Sequence, residues 1–239
     1  MKLICSFLVF LIANNCLAQQ NEYNFWQNKM KNSIYLKEFM KLSVEAESRI
    51  RNNYYGNDLK KVEDLMRSHI KGDYPLVVET SRHLVEAGGK RLRPLLTLLS
   101  AQFGDPTNYD IIKAAVCCEL THLATLYHDD VMDDAALRRG VISANKKWDN
   151  AVAILTGDYL FSKVSDMLAD IGPEAVKLQA KTFERLVIGQ IKETQGKSEG
   201  LSQIDHYMKV VADKTGLYHC SNSKQAASIT CNFIGYIFA

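Results

Sequence analysis

Apolar positions recur at helical spacing throughout the middle of the chain. Leu59, Val62, Leu65, Met66 and Ile70, with His69, fall three and four residues apart, the stripe of an amphipathic helix. Pro75 opens a second helix, expected over 75–87, and Gly88-Gly89 stops it, since glycine readily takes the left-handed conformation that ends a helix. Pro94 opens a third, expected to end near Gly104. Asp105-Pro106-Thr107-Asn108 reads as a turn whose side chains cap a long helix at about 109–132. A loop around Arg138-Arg139-Gly140 leads to helices at about 148–170, 173–195 and 201–215. No strand alternation is evident, so the expected fold class is all-α, a helical bundle.

Composition agrees with this picture. A chain of 239 residues can bury a substantial core, and its four prolines leave room for long uninterrupted helices. The net charge of +2 gives no global reason to expect nucleic acid or acidic membranes as partners. The six cysteines include no C-x-x-C pair, which argues against zinc or a disulfide framework. They read as small buried hydrophobes.

Both ends differ from the middle. Met1-Lys2, the apolar run Leu3–Ala13 and small residues before Ala18 resemble a secretory signal cut after Ala18. The other reading is a misplaced start, with Met30 or Met40 as the true beginning. From Leu217 to Ala239 the only charged residue is Lys224, and helical patterning ceases at Gly216. The expected organisation is therefore an N-terminal extension over 1–41, a helical domain over 42–216 and an atypical tail over 217–239, the last explained by a shifted reading frame or an early end.

The chemistry concentrates at the end of the long helix, in His128-Asp129-Asp130-Val131-Met132-Asp133-Asp134. Asp129 and Asp133, four apart, share a helix face, and Asp130 lies about 100° around. Such a cluster opposes both itself and the helix dipole, so it calls for a cation. Carboxylate oxygens suit a hard ion, and magnesium typically takes one or two carboxylates with phosphate oxygens and water. Two basic segments supply the complementary charge. Gly88-Gly89-Lys90-Arg91-Leu92-Arg93-Pro94 sets three cations on a glycine turn entering a helix, a natural anion site, and Arg138-Arg139-Gly140 follows the carboxylates closely. One anion bridged by metal and one gripped by Lys and Arg point to two diphosphates and a bimolecular reaction.

These segments resemble the trans-polyprenyl diphosphate synthases. The glycine-basic turn is similar to the family's GGKRxRP segment, and His122–Asp133 with the arginine pair resembles its first aspartate-rich region. Gly157-Asp158-Tyr159-Leu160-Phe161, Gly189-Gln190 and Lys214-Thr215 follow in the family's order. The resemblance spans 42–216 and implies an isoprenoid-synthase-type bundle, incomplete at its C-terminus. It implies condensation of isopentenyl diphosphate with an allylic diphosphate, a homodimer when complete and a cytoplasmic location, secretion being the alternative if the N-terminal signal is genuine. It further implies that Lys90, Arg93, His122 and Arg139 hold isopentenyl diphosphate. Asp129, Asp130 and Asp133 would bind Mg2+ on the allylic diphosphate, which Arg138, Lys214 and Thr215 also contact, with Gln190 in the substrate-binding set.

The resemblance also bears on product length, since in this family bulky side chains just before the aspartates stop the growing chain early. Ala124 and Thr125 are small, and the first bulky apolar residue on that line, Ile111, lies roughly 27 Å below Asp129 at about 1.5 Å per residue. A long polyprenyl product is expected; close packing of a neighbouring helix explains small residues equally well.

The family's second aspartate-rich motif has no counterpart here, since Asp158, Asp166, Asp170 and Asp213 are not so arranged. Impaired activity of this chain and uncovered apolar helix faces are expected for that reason. Three other functions are open: a non-catalytic subunit or remnant of such a synthase, a terpene cyclase, which the second basic cluster disfavours, and a secreted helical metal-binding protein.

Overall fold

A computed structural model describes residues 55–101, 105–196, 200 and 202–216; the N-terminal extension and the tail of the preceding section lie outside them. The described residues are mostly helical, as the periodicity predicts. In chain order they form α1 (Gly56–His69), α2 (Pro75–Glu86), α3 (Leu92–Ala101), α4 (Asp110–Met132), α5 (Ala144–Lys147), α6 (Asn150–Ile171), α7 (Pro173–Gln195) and α8 (Gln203–Val211). A π-helical turn, Ala212–Gly216, follows α8. Two compact units are present among the described residues, one within 57–179 and a second within 180–216.

In the first unit α4 is the central element. Ile111, Ala114, Ala115, Val116, Leu120, Leu123, Ala124 and Tyr127 are all buried, so the helix has no solvent-facing stripe over most of its length. It packs most extensively along α6 and also meets α3. Its start is built as the turn chemistry requires. The Asp105 carboxylate accepts from the Thr107 N–H at 2.9 Å, and Asn108 Oδ1 accepts from the Asp110 N–H at 2.9 Å. Gly157 on α6 allows the two helices to touch. A Cβ there would lie 2.5 Å from His128 Nε2 and 3.0 Å from the Ala124 carbonyl oxygen.

The sequence reading departs from the structure in several places: α3 begins at Leu92, two residues before Pro94, and α5 stands where no helix is expected. Leu137–Arg138 and Val141–Ile142 form a small antiparallel hairpin, with Leu137 opposite Ile142 and Arg138 opposite Val141, where a loop was expected. Its two turn residues, Arg139 and Gly140, have φ of 53° and 81°, the backbone of a tight hairpin turn. Trp148 lies outside the long helix expected at 148–170. It stands between α5 and α6, edge-on to His83 at 5.1 Å, and α6 begins after Asp149, whose carboxylate accepts from the Val152 N–H at 2.7 Å. The last helix ends as a π turn rather than continuing to Thr215 as a regular helix.

In the second unit that π turn is held by charge and by close approach. Asp213 is buried and receives Arg185 Nη2 at 2.5 Å and Lys192 Nζ at 2.6 Å. Burial pushes its carboxyl up, but these hydrogen bonds and charges outweigh burial and hold it below the ordinary value. Gly189 faces the turn so closely that a Cβ would sit 2.7 Å from the Lys214 backbone nitrogen. Several apolar side chains stay exposed: Val187, Ile188 and Ile191 on α7, and Ile204 and Tyr207 on α8. Among the described residues no helix is long and apolar enough to cross a membrane.

Candidate active site

The aspartates stand where α4 ends. Asp129 is half-buried in the last turn and Asp133, exposed, is the C-terminal cap, its N–H donating to the Asp129 carbonyl at 2.8 Å. Asp130 faces elsewhere. It is fully buried and engages Arg138 of the hairpin, whose Nε donates to Oδ1 at 2.6 Å and whose Nη2 lies 2.5 Å away. Burial raises the Asp130 pKa, Arg138 opposes that rise, and the Asp133 charge adds to it. Its second oxygen, Oδ2, is buried with no hydrogen-bond partner.

Asp129 and Asp133 stand one turn apart, and their carboxylate oxygens suit a hard divalent cation that completes its shell with phosphate oxygens and water. Among the described residues no group of three acidic, histidine or cysteine side chains is arranged to hold a metal by itself. The donor set therefore fits an ion shared with a ligand better than a closed protein cage.

His128, beside Asp129, ties this end of α4 to α6. Its Nε2 lies 3.1 Å from the Ile154 carbonyl oxygen and 3.4 Å from Asp158 Oδ1, and its ring meets Phe161 edge-on at 5.8 Å. Tyr127 ties the same turn to α2. Its hydroxyl donates to the Thr80 carbonyl at 2.5 Å and accepts from the Leu84 N–H at 3.2 Å.

The basic turn divides into two kinds of residue. Arg91 is buried, with 6% exposure, and stands at φ 48°. All five of its N–H donors are engaged: Nε and Nη2 by Glu63, Nη1 by Glu119 and the Gly88 carbonyl, Nη2 also by the Val85 carbonyl. Burial lowers the Arg91 pKa, yet the Glu63 and Glu119 contacts outweigh it and leave the value raised. Lys90, by contrast, is exposed and has no hydrogen-bond or ion-pair partner among the described residues. Arg93 is half-buried in the first turn of α3, and His122 half-buried on α4.

Arg139, at the hairpin turn, reaches back to the same place. Nη1 donates to the Leu84 carbonyl at 3.1 Å and to the Gly88 carbonyl, and Nη2 donates to Glu119 at 3.4 Å. Burial lowers its pKa, Glu119 opposes this, and Arg91 and Arg93 add to the lowering. The approach requires glycine: a Cβ on Gly89 would stand 2.9 Å from the Arg139 guanidinium carbon. Glu119, which joins both arginines, was missed in the sequence reading. Its signal was a single charge inside the otherwise uncharged run Ala114–Ala124.

Ala124 is fully buried, with its carbonyl against Gly157, so its small size admits α6. Thr125 is half-buried and its hydroxyl donates to the His122 carbonyl at 2.8 Å. One turn further down, Thr121 is buried and accepts from Gln179 of α7 at 2.9 Å. In the second unit, Gln190 is half-buried on α7 with its side-chain oxygen buried and unbonded, and Lys214 donates to Glu193 at 2.6 Å. Thr215 belongs to the π turn by its backbone.

Residues 74–234 match the polyprenyl synthetase family. The chain is 50% identical over 157 residues to the nonaprenyl diphosphate synthase of Mycobacterium tuberculosis, covering 65% of this chain and 47% of that protein. It is 38% identical over 169 residues to heptaprenyl diphosphate synthase component 2 of Bacillus subtilis, covering 69% and 48%. It therefore spans about half the length of the curated relatives it matches. Among solved structures, a decaprenyl diphosphate synthase from Rhodobacter capsulatus superposes with a TM-score of 0.71 at 31% identity, over 77% of this chain and 57% of that one. A polyprenyl synthase from Caulobacter crescentus, complexed with calcium and isoprenyl diphosphate, does so with a TM-score of 0.72 at 29% identity, over 77% and 56%. The helices, the aspartates closing α4 and the glycine-basic turn thus belong to a chain of the polyprenyl synthetase family.

Proposed function

We propose that this protein is a prenyltransferase that condenses isopentenyl diphosphate with an allylic diphosphate, lengthening a polyprenyl diphosphate. The observation that carries the reading is the presence, within one unit, of two complementary groups: the Asp129/Asp133 pair at the end of α4, which suits a metal-bridged anion, and the glycine turn braced against the hairpin through Arg139. Magnesium held by Asp129 and Asp133 would supply charge stabilisation for the departing diphosphate.

The chain's own residues bind and orient. Lys90, Arg93, His122 and the uncommitted donors of Arg139 grip isopentenyl diphosphate, placing its double bond near the allylic carbon. Arg138, held by Asp130, faces the allylic diphosphate. The allylic carbon–oxygen bond breaks, a carbon–carbon bond forms, and a proton leaves the former isopentenyl unit. Ala124 and Thr125 set no bulky side chain below the aspartates, which supports a long product. The same reading makes the working assembly a homodimer in the cytoplasm, where such diphosphates are metabolites.

The test is incorporation of labelled isopentenyl diphosphate into extractable polyprenyl product, with an allylic primer and magnesium. Elongation that stops when Asp133 is replaced by Asn supports the reading. Incorporation only after mixing with a second synthase chain would favour a non-catalytic subunit instead. Similarity to a protein named heptaprenyl diphosphate synthase component 2 is the observation on that side.

A further inference from the structure

Glu119 is a carboxylate in the apolar centre of α4, 1% exposed. Its Oε1 takes two guanidinium groups at once, Arg91 Nη1 at 3.0 Å and Arg139 Nη2 at 3.4 Å, while Oε2 is buried with no partner. Those arginines come from separate segments, one from the glycine turn and one from the hairpin. Both also bond carbonyls at the end of α2: Val85 and Gly88 for Arg91, Leu84 and Gly88 for Arg139. Without a shared counter-charge the buried Arg91 and the half-buried Arg139 would repel each other and the turn would part from the hairpin.

A count of donors separates their roles. Arg91 has none left for a ligand. Arg139 has committed three of five, its two Nη1 hydrogens and one on Nη2, which leaves Nε–H and the second Nη2 hydrogen. Which edge of the Arg139 guanidinium is left for an anion is therefore decided by the carbonyls and by Glu119. We propose that Glu119 is a positioning residue of the diphosphate site, a buried carboxylate that never touches substrate but locks Arg91 and Arg139 together, so that Lys90, Arg93 and the remaining edge of Arg139 act on one anion. This rests on the reading above that these cations hold a diphosphate.

The opposite expectation is equally concrete, which makes the idea testable by sign. If Glu119 acts only as nearby negative charge, neutralising it raises the local positive potential and tightens anion binding. If it positions Arg139, Glu119→Gln weakens binding although the site becomes more positive. The effect expected is on the order of 10-fold, the scale seen when the partner that orients a binding residue is removed.

The experiment is calorimetric titration of isopentenyl diphosphate into the full chain, with wild type, E119Q, R139Q and the double variant, each checked for its helical circular-dichroism signal. Weaker binding by E119Q, and little further loss when E119Q is added to R139Q, supports the proposal. Equal or tighter binding by E119Q overturns it, as does additive loss in the double variant. Should E119Q not fold, E119D keeps the charge but shortens the reach. Weaker binding by E119D supports the proposal and unchanged binding overturns it. Failure of wild type to bind the diphosphate overturns the proposed function itself, an outcome distinct from wild-type binding that E119Q leaves intact.

Discussion

Replacing Arg91 by Leu, and separately Lys90 by Ala, tests whether neighbouring cations of one motif serve different ends. Arg91 is buried and answers Glu63, Glu119 and two carbonyls, whereas Lys90 is exposed without a partner among the described residues. Removing one member of a buried ion pair costs about 3–5 kcal/mol, mostly because the other charge is stranded. Here Glu119 keeps Arg139 and Glu63 is 23% exposed, so the lower end applies, about 3 kcal/mol. With a urea slope of about 2 kcal/mol per molar, the unfolding midpoint of R91L should fall by roughly 1.5 M. K90A should stay within about 0.5 kcal/mol of wild type, as exposed substitutions do, while binding isopentenyl diphosphate more weakly. Arg91→Lys should fall between, since an ammonium offers three donors for five acceptors. Urea unfolding followed by tryptophan fluorescence reads all three. If R91L and K90A lose the same stability, or R91L keeps its midpoint, the assignment of Arg91 to the interior is wrong.

Other perturbations follow from close approaches and charge. Gly157→Ala sets a methyl group 2.5 Å from His128 Nε2, and should cost about 1–3 kcal/mol by overpacking, partly offset by about 1 kcal/mol of helix propensity. Thermal melting checks this, and a gain in stability would contradict the close contact of α4 with α6. Gly189→Ala meets backbone rather than a movable side chain, so it should displace the π turn, read as faster hydrogen exchange over 212–216 with 110–132 unchanged. Asp213, whose pKa is lowered on folding, stabilises its unit above the ordinary carboxylate range near 3.9 and loses that contribution as pH falls through its lower folded value. Hydrogen exchange should show an acid-side loss of protection in α7 and the π turn that Asp213→Asn lacks; the same step in both proteins would exclude Asp213 as its source.

How much of this was legible in the sequence depended on how local its cause was. Helices α2 and α7 begin at Pro75 and Pro173 as expected, and α4 follows a turn closed by Asp105 and Asn108, though its N-cap, Tyr109, makes no side-chain cap bond; such turns act over a few residues. The hairpin escaped because its strands hold two residues each, too few for alternation to register. Helix geometry placed Asp130 about 100° from Asp129 and about 60° from Asp133, but its engagement with Arg138 depends on how the hairpin folds back. The basic turn shows the same limit. Lys90, Arg91 and Arg93 look alike in sequence, and only Glu63 and the buried Glu119, 28 residues away on either side, make Arg91 an interior residue.

The most direct test of the central claim is titration of an unreactive allylic diphosphate analogue into wild type and Asp133→Asn, with magnesium and with EDTA. Binding to wild type that needs magnesium, and that the aspartate variant loses while keeping its helical signal, is the result the Asp129/Asp133 site predicts. Binding that is indifferent to the metal, or that Asp133→Asn retains, would contradict it.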